Sequence, residues 1–432
     1  MTYYQKHIET MPRRELEDLQ IRRLREVVHR AYNSVPFYRE KFKKAGIRPE
    51  DIKSYDDLAK VPFTTKNDLR DHYPFGLLAV SLADCIELHA SSGTTGKPIV
   101  VCYTPHDMEV WGEVMARCLA MAGLTKNDVF QNPIPYGTFT GAFGFHYGAQ
   151  RIGALVVPTG KGDSERQIQL MKDFGTTFIS GVVSYAIHLG NVALRMGIDP
   201  AKDLKVRNGI FGAEFFSTEM KKKLSQMWDM DVHDIYGLTE MCGPGVSADC
   251  DAHDGLHLWE DHFLAEVIDP DTGERLEREE EGELVLTTLS KEGMPMIRYR
   301  TRDITFIYDA KSCDCGRTHL RHAPIKGRTD DMFIVRGTNI FPSAIEGAIM
   351  GIPGVGGNYR IVLTTEDDMD QMIIEVESDK VVSDDEKRVI ADRIKKAVRV
   401  VTTLTPRVMV VDPGEIKHQG IKARRVIDLR RR

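Results

Sequence analysis

Two short stretches of this 432-residue chain carry residue types and spacings suited to chemistry. The first is Ser91 to Val100, SSGTTGKPIV. Gly93 and Gly96 let the backbone turn tightly and bring amide hydrogens up to oxygen anions. Ser91, Ser92, Thr94 and Thr95 add hydroxyl donors, and Lys97 adds positive charge. Such a loop can wrap an oligophosphate. It is not a Walker A loop, which needs a glycine where Ser91 stands and a Ser or Thr where Pro98 stands. A Gly/Ser/Thr surface turn would look the same in isolation, so the nucleotide reading needs partners elsewhere. The second stretch is Cys313-Asp314-Cys315-Gly316, a tight thiol pair, with Cys250 and His257 upstream in ADCDAHDGLHLWEDH. Three sulfurs and one imidazole make a closed tetrahedral set suited to a structural Zn2+. His253 and His262 compete with His257, and a turn with two free thiols is the alternative.

These residues need a scaffold. Between residues 85 and 300, β-branched runs at 99–101, 154–157, 177–182, 209–211 and 231–236 alternate with helical patterns at 107–122, 164–174, 184–196 and 218–228. That alternation predicts βαβ units with largely parallel sheets. Leu16, Leu19, Leu24, Val27, Val28 and Ala31 predict an amphipathic helix over 12–33, with a second short helix over 38–45. Thr64 or Thr65 is placed to cap a helix starting in FTTKND. Residues 263–269, 282–289 and 304–309 read as strands. After Asp330, strands at 332–337, 359–365, 372–378 and 407–412 surround a helix at 384–400. The fold class is therefore α/β. A large N-terminal domain (1–329), with mixed and parallel β-sheets flanked by helices, precedes a small α+β C-terminal domain (330–432).

Composition narrows the function classes. A hydrophobic share of 42% and a charged share of 28% are those of an ordinary globular protein, and a net charge of −6 gives no reason to expect nucleic acid or an anionic membrane as partner. Residues 1–19 are charged throughout with no apolar core, so no signal peptide is expected and a cytoplasmic location is. Seven cysteines, an odd and scattered set, do not make a disulfide framework. Cys85, Cys102 and Cys118 sit among apolar residues and are expected to pack as small hydrophobes.

Eight segments then fall in order along the chain: VPFTTKNDLRDHYPFG, SSGTTGKP, PYGTFTGAFGFHYGAQRIGA, GAEFFS, DIYGLTE, YRTRD, GRTDDMFIVRGTNIFPSAIE and KARRVID. Together they resemble the adenylate-forming superfamily of acyl- and aryl-CoA synthetases, adenylation domains and luciferases, and more closely the phenylacetate-CoA ligase family. The resemblance implies that an aryl acid, phenylacetate first, is joined to coenzyme A at the expense of ATP. The route is an acyl-adenylate, with AMP and pyrophosphate released. It implies that Ser92, Gly93, Thr94, Thr95, Gly96 and Lys97 wrap the ATP phosphates; Lys66 in FTTK either adds charge to the same pocket or simply starts a helix. It implies Gly212, Ala213 and Glu214 against adenine. Asp234, Tyr236 and Gly237 join the nucleotide site, with Tyr236 on adenine or at the acyl pocket. Thr239 would meet the α-phosphate and Glu240 would hold Mg2+. Asp303 would accept both ribose hydroxyls, and Arg328 would meet the ribose or the charge developing on phosphorus. Tyr136, Phe139 and Gly141 would shape the aryl pocket.

The resemblance also implies Lys422 as the catalytic lysine. The family has Gly directly before it, whereas QGIKARR places Ile421 there, and Lys417 competes for the role. Asp330 is the implied hinge, about which 331–432 would rotate between adenylating and thioester-forming poses. Two alternatives stay open: transfer of the acyl group to another acceptor, and a non-catalytic nucleotide-binding relative. Monomer and homodimer are both open as well.

Overall fold

The computed structural model describes residues 2–91, 97–309, 313–336, 338–366, 369–416 and 425–430. Ser92 to Gly96, Lys417 and Lys422 lie outside the described residues. The chain divides into two units, Met1–Ser180 with Asn208–Gly212 and His233–Pro324, and Gly181–Arg207 with Ala213–Val232 and Ile325–Arg432. The segment 330–432 falls in the second unit, in company with 181–207 and 213–232.

The first unit is built on one large sheet. Its strand order is Arg321–His322, Leu256–Leu258, Gly243–Asp249, Asp231–Leu238, Asn208–Gly212, Phe178–Gly181, Val129–Gln131, Leu155–Val157. Val129–Gln131 runs parallel to both Leu155–Val157 and Phe178–Gly181, as the alternating pattern predicts. The other side is antiparallel: Asp231–Leu238 pairs with Gly243–Asp249, which pairs with Leu256–Leu258. The departure has a local cause, because a tight Thr-Glu-Met-Cys connection can only return the chain as a hairpin. A second antiparallel sheet joins Phe263–Ile268, Gly282–Thr288 and Tyr299–Thr305. The strand expected at 304–309 is thus displaced: it begins at Tyr299, where pairing with Leu286 fixes its start.

Two helices lie under the site. Pro105–Met121 starts with a capping box, Thr104 accepting from the Asp107 N–H, and Pro105 occupies its first turn. Thr140–Ile152 packs along it, a helix the glycine-rich 135–150 segment did not announce. The glycines are what permit the contact. A Cβ on Gly148 would lie 2.7 Å from the Met115 Cβ and 2.8 Å from the Met115 carbonyl carbon, and one on Gly144 would lie 2.8 Å from the Trp111 indole nitrogen. Bare glycine lets the two backbones close up. Arg13–Ser34 buries Leu16, Gln20, Leu24, Val27, Val28 and Ala31 on one face, as its spacing requires.

In the second unit, Val355–Glu366 pairs antiparallel with Met369–Ser378 and parallel with Val426–Asp428, and Arg407–Val411 runs parallel to Met369–Ser378. Asp384–Thr402 starts at a Ser383–Glu386 capping box and buries Ile390, Ile394, Val398 and Thr402 at helical spacing. The α+β character read from this part of the sequence is the one observed.

Candidate active site

The candidate phosphate-binding segment is flanked by a clasped base. Glu87–Ala90 and Val100–Tyr103 pair antiparallel up to Ala90 and Val100. Beyond them, the Ser91 N–H donates to the Ile99 carbonyl at 2.8 Å, and the Ser91 hydroxyl accepts from the Ile99 N–H at 2.9 Å. The Ala90 N–H donates to the Thr138 carbonyl at 2.7 Å, tying this base to the aromatic 135–150 segment. Lys97 is exposed, its Nζ 5.8 Å from the Tyr73 ring centroid. Below, Tyr103 stacks on Trp111 at 5.1 Å, and the Trp111 indole donates to the Pro244 carbonyl at 3.1 Å. The loop's footing and the Gly243–Asp249 strand therefore share one core.

DIYGLTE occupies the far end of Asp231–Leu238. A Cβ on Gly237 would fall 2.1 Å from the Gly243 carbonyl oxygen, so only glycine fits where the hairpin closes. The Asp234 N–H donates to Asp249 at 2.8 Å. Gly212, on the neighbouring strand, is equally constrained, with the Ile235 carbonyl oxygen 2.2 Å from where a Cβ would stand. Thr239 and Glu240 follow in the turn and are both buried. One strand then holds the segment at two points. Along Tyr299–Thr305, Tyr299, Thr301 and Asp303 alternate to the buried face. The Tyr299 hydroxyl donates to Glu240 Oε1 at 2.8 Å, and the Tyr236 hydroxyl donates to Asp303 Oδ2 at 2.6 Å. The Tyr236 ring also meets His322 edge-on at 5.6 Å.

Sequence reasoning passed over Lys291. Its ammonium is buried and donates to the carbonyls of Glu240, at 3.0 Å, and Met241. It also stands 5.2 Å from the Tyr103 ring centroid. Burial pulls its pKa down to about 8. Tyr299 was missed too, although it opens the YRTRD motif. Its period-two relation to Asp303 was the signal available.

The aromatic segment is wired together by polar contacts. Asn132 Nδ2 donates to the Tyr136 hydroxyl at 3.0 Å, and that hydroxyl meets His146 Nδ1 at 2.9 Å. With Asn132 donating to the phenol oxygen, a neutral His146 can accept the phenol's proton at Nδ1. Burial lowers the His146 pKa, in keeping with this. Phe143 lies edge-on to Tyr136 at 5.2 Å, and the Tyr147 hydroxyl donates to Glu87 at 2.7 Å. Phe139, half-buried, precedes the first turn of Thr140–Ile152. Gly141 gives room to its own neighbour, since a Cβ there would come within 2.6 Å of the Phe139 ring.

In the second unit, Ala213 takes a left-handed conformation with φ 68°. The Glu214 carboxylate accepts from the Ser184 N–H at 2.6 Å and the Ser184 hydroxyl at 3.0 Å, at the start of Val183–Arg195. Arg328 pairs with Asp330 at 2.8 Å. Back in the first unit, Cys250, His257, Cys313 and Cys315 are all buried and bring their ligand atoms within 4.8 Å of one another. His253 instead faces Asp249 at 3.0 Å, and His262 faces Ser290 at 2.7 Å.

The sequence matches the family described as AMP-binding enzyme over residues 35–290, and the AMP-binding enzyme C-terminal domain over 337–430. It is 43% identical to the phenylacetate-coenzyme A ligase of Thermus thermophilus, over 99% of this chain and 100% of that one. The chain belongs to the phenylacetate-CoA ligase family of AMP-binding enzymes. A phenylacetate-coenzyme A ligase of Escherichia coli is 40% identical over 98% of this chain and 97% of its own. Among solved structures, 2-hydroxyisobutyryl-CoA ligase in its postadenylation state, in complex with R3-HIB-AMP, matches with a TM-score of 0.92 at 31% identity, covering 99% of this chain and 92% of that one. The same ligase with 2-HIB-AMP and CoA, in a thioesterification state, matches at 0.73. The protein is an AMP-forming acid–thiol ligase with the adenylate-forming fold, and ATP and CoA are its co-substrates. Among the described residues no helix is long and apolar enough to cross a membrane.

Proposed function

We propose that this ligase couples phenylacetate, or an aryl acid of similar shape, to coenzyme A. The observation that carries the reading is the Ala90–Thr138 hydrogen bond, at 2.7 Å, which joins the footing of the phosphate loop to the aromatic segment. An acid held among Tyr136, Phe139 and Phe143 would have its carboxylate beside that loop. The phenylacetate-coenzyme A ligases at 40–43% identity support the choice of acid.

A carboxylic acid is already ionised at neutral pH, so the first step needs no base. One carboxylate oxygen attacks the α-phosphorus of ATP, the bond from phosphorus to the bridging oxygen breaks, and pyrophosphate leaves. Two anions meet there, so positive charge and hydrogen-bond donors govern the rate. Lys97 and Lys422 are proposed to supply that charge, with Ser92 to Gly96 donating to the phosphates and Thr239 to the α-phosphate. Gly212, Ala213 and Glu214 are proposed at adenine, Asp234, Tyr236 and Gly237 beside it, Asp303 at the ribose diol, and Arg328 at the ribose or phosphoryl group. In the second step the CoA thiol gives up its proton to solvent and its sulfur attacks the acyl carbon; the bond to the phosphate oxygen breaks, and AMP leaves.

The donor set fits Mg2+, which takes few carboxylates and completes its shell with substrate phosphates. Glu240 is buried and uses one oxygen for Tyr299, and its carboxylate would hold the ion. When bound, Mg2+ neutralises phosphate charge. Asp330 is proposed as the hinge between half-reactions for the unit beyond it. The relative solved in both postadenylation and thioesterification states supports such a motion. ATP and CoA as co-substrates support a cytoplasmic location.

AMP release measured over a panel of aryl acids, with and without CoA, tests the reading. CoA-dependent AMP release, fastest with phenylacetate or a near analogue, is expected. Acid-dependent pyrophosphate release that CoA does not carry on to AMP would point to another acceptor and overturn it.

A further inference from the structure

The buried thiol cluster lies outside the reaction just described, and nothing in that reaction uses it. Cys250 is 1% exposed, His257 0%, Cys313 7% and Cys315 2%. Cys250 Sγ and Cys313 Sγ are 3.5 Å apart, and Cys315 Sγ is 3.2 Å from His257 Nε2. Zinc–sulfur bonds of about 2.3 Å set tetrahedral sulfurs roughly 3.8 Å apart, so little movement is needed to seat an ion. The imidazole is aimed for the task. His257 Nδ1 lies 3.2 Å from the His319 carbonyl, which can only accept, so Nδ1 carries the proton and Nε2 faces the sulfurs with its lone pair. That outer hydrogen bond is the kind that orients metal-bound histidines. Three thiolates around a divalent ion leave one net negative charge. The guanidinium groups of Arg317 and Arg321, paired with Glu9 and Asp254, add favourable electrostatic interactions with Cys315 and Cys313.

Another close set in the same unit shows the contrast. Glu113, Asp261 and His262 also converge, but Arg117 already pairs with both carboxylates, Glu113 and Asp261, the latter at 2.9 Å. Among the described residues, the cations nearest the thiol cluster, Arg317 and Arg321, are instead paired with Glu9 and Asp254.

We propose that Cys250, His257, Cys313 and Cys315 bind one Zn2+ in a closed tetrahedral site, and that the ion fastens the loop from Cys313 to His322 to the main sheet. With four protein ligands and no open position, it is structural and takes no part in the ligation. The ion would tie the end of Gly243–Asp249, the strand Leu256–Leu258 and the start of the loop together, adding to the strand pairing of Leu256–Leu258 with Gly243–Asp249 and with Arg321–His322. The loop in turn holds the N-terminal segment. The Tyr3 hydroxyl donates to the Cys315 carbonyl at 2.6 Å, Arg317 donates to Glu9 at 2.8 Å, and the Thr318 hydroxyl donates to the Met11 carbonyl at 2.6 Å. At its other end His322 meets the Ser247 hydroxyl at 2.6 Å and abuts Tyr236. Metal loss is therefore expected to loosen residues 2–11 and 313–322 first.

The test begins with the purified full-length enzyme, washed with chelator and analysed for metals by mass spectrometry. About one zinc per chain is expected. Exchange with Co2+ should give the strong visible bands of a tetrahedral site and a near-ultraviolet thiolate-to-cobalt band. Cys315→Ser and Cys313→Ser should lose the metal, whereas His253→Ala should keep it. Should the cysteine variants fail to fold, release of zinc from the wild type by a thiol-blocking reagent reads the same ligation. Hydrogen exchange on that sample should show new exposure in 2–11 and 313–322. A wild type with no zinc, whether its thiols are free or Cys250 and Cys313 are joined as a disulfide, would overturn the proposal. Zinc retained in both cysteine variants would overturn it equally.

Discussion

Tyr299 and Lys291 grip Glu240 from two directions, one through the carboxylate and the other through the backbone carbonyl. Neither is placed to react, so both act by position. Tyr299→Phe removes a hydrogen bond to a buried carboxylate, which is worth about 1–3 kcal/mol when a charged group is involved. It should lower kcat/KM for MgATP by roughly tenfold to a hundredfold, with the Mg2+ requirement rising, and steady-state kinetics at varied Mg2+ would read this. Unchanged Mg2+ dependence would remove Tyr299 from the site. Lys291→Met keeps the volume but strands two buried carbonyls. It should reduce kcat while the fold survives, with a loss of about 1–3 kcal/mol in stability by denaturant unfolding. Asp303→Asn keeps the shape and the Tyr236 partner but removes the charge, and should raise KM for ATP more than KM for the acid.

At the scale of elements, glycine positions separate packing from recognition. Gly148→Ala would press a methyl on the Met115 Cβ at 2.7 Å and on the Met115 backbone at 2.8 Å. Overpacking of this sort costs about 1–3 kcal/mol, so the denaturation midpoint should fall with an unchanged slope. Gly141→Ala would press instead on the Phe139 ring, at 2.6 Å, which can swing away. It should alter KM for the acid with little change in stability. Equal stability losses in both variants would contradict this division. The same glycines explain what the sequence hid. The helices 164–174 and 218–228 were legible to their ends, since each combines a polar cap with a clean apolar stripe. Thr140–Ile152 was not, because glycine at its packed face reads as loop until its partner helix is known. The Gly243–Asp249 strand was hidden for a like reason, its GPG start resembling a turn. Of the site, the motif residues could be read locally, but Lys291 and the Asn132–Tyr136–His146 chain depend on contacts made only in the folded state.

For the whole molecule, the proposed hinge makes the two half-reactions separable. Asp330→Pro should spare phenylacetyl-adenylate formation and slow thioester formation, measured in separate single-turnover assays. Equal losses in both would count against a hinge there. Acid stability has a buried source in His322, whose pKa falls from 6.5 to about 4 through burial. Its folded pKa lies below its unfolded one, so between those values the unfolded chain holds the extra proton. Stability contributed by the neutral imidazole is full above pH 6.5 and is lost as pH falls towards 4. The upper bound is about 3 kcal/mol. His322→Gln should flatten this part of the pH–stability curve, as followed by thermal unfolding.

The most direct measurement is exchange of labelled pyrophosphate into ATP, run with phenylacetate and without CoA. The proposed acid activation at Thr239, Glu240 and Asp303 predicts exchange that needs the acid and Mg2+, needs no CoA, and falls sharply in Asp303→Asn. Exchange that proceeds without any acid, or that is as fast in Asp303→Asn as in the wild type, would contradict it.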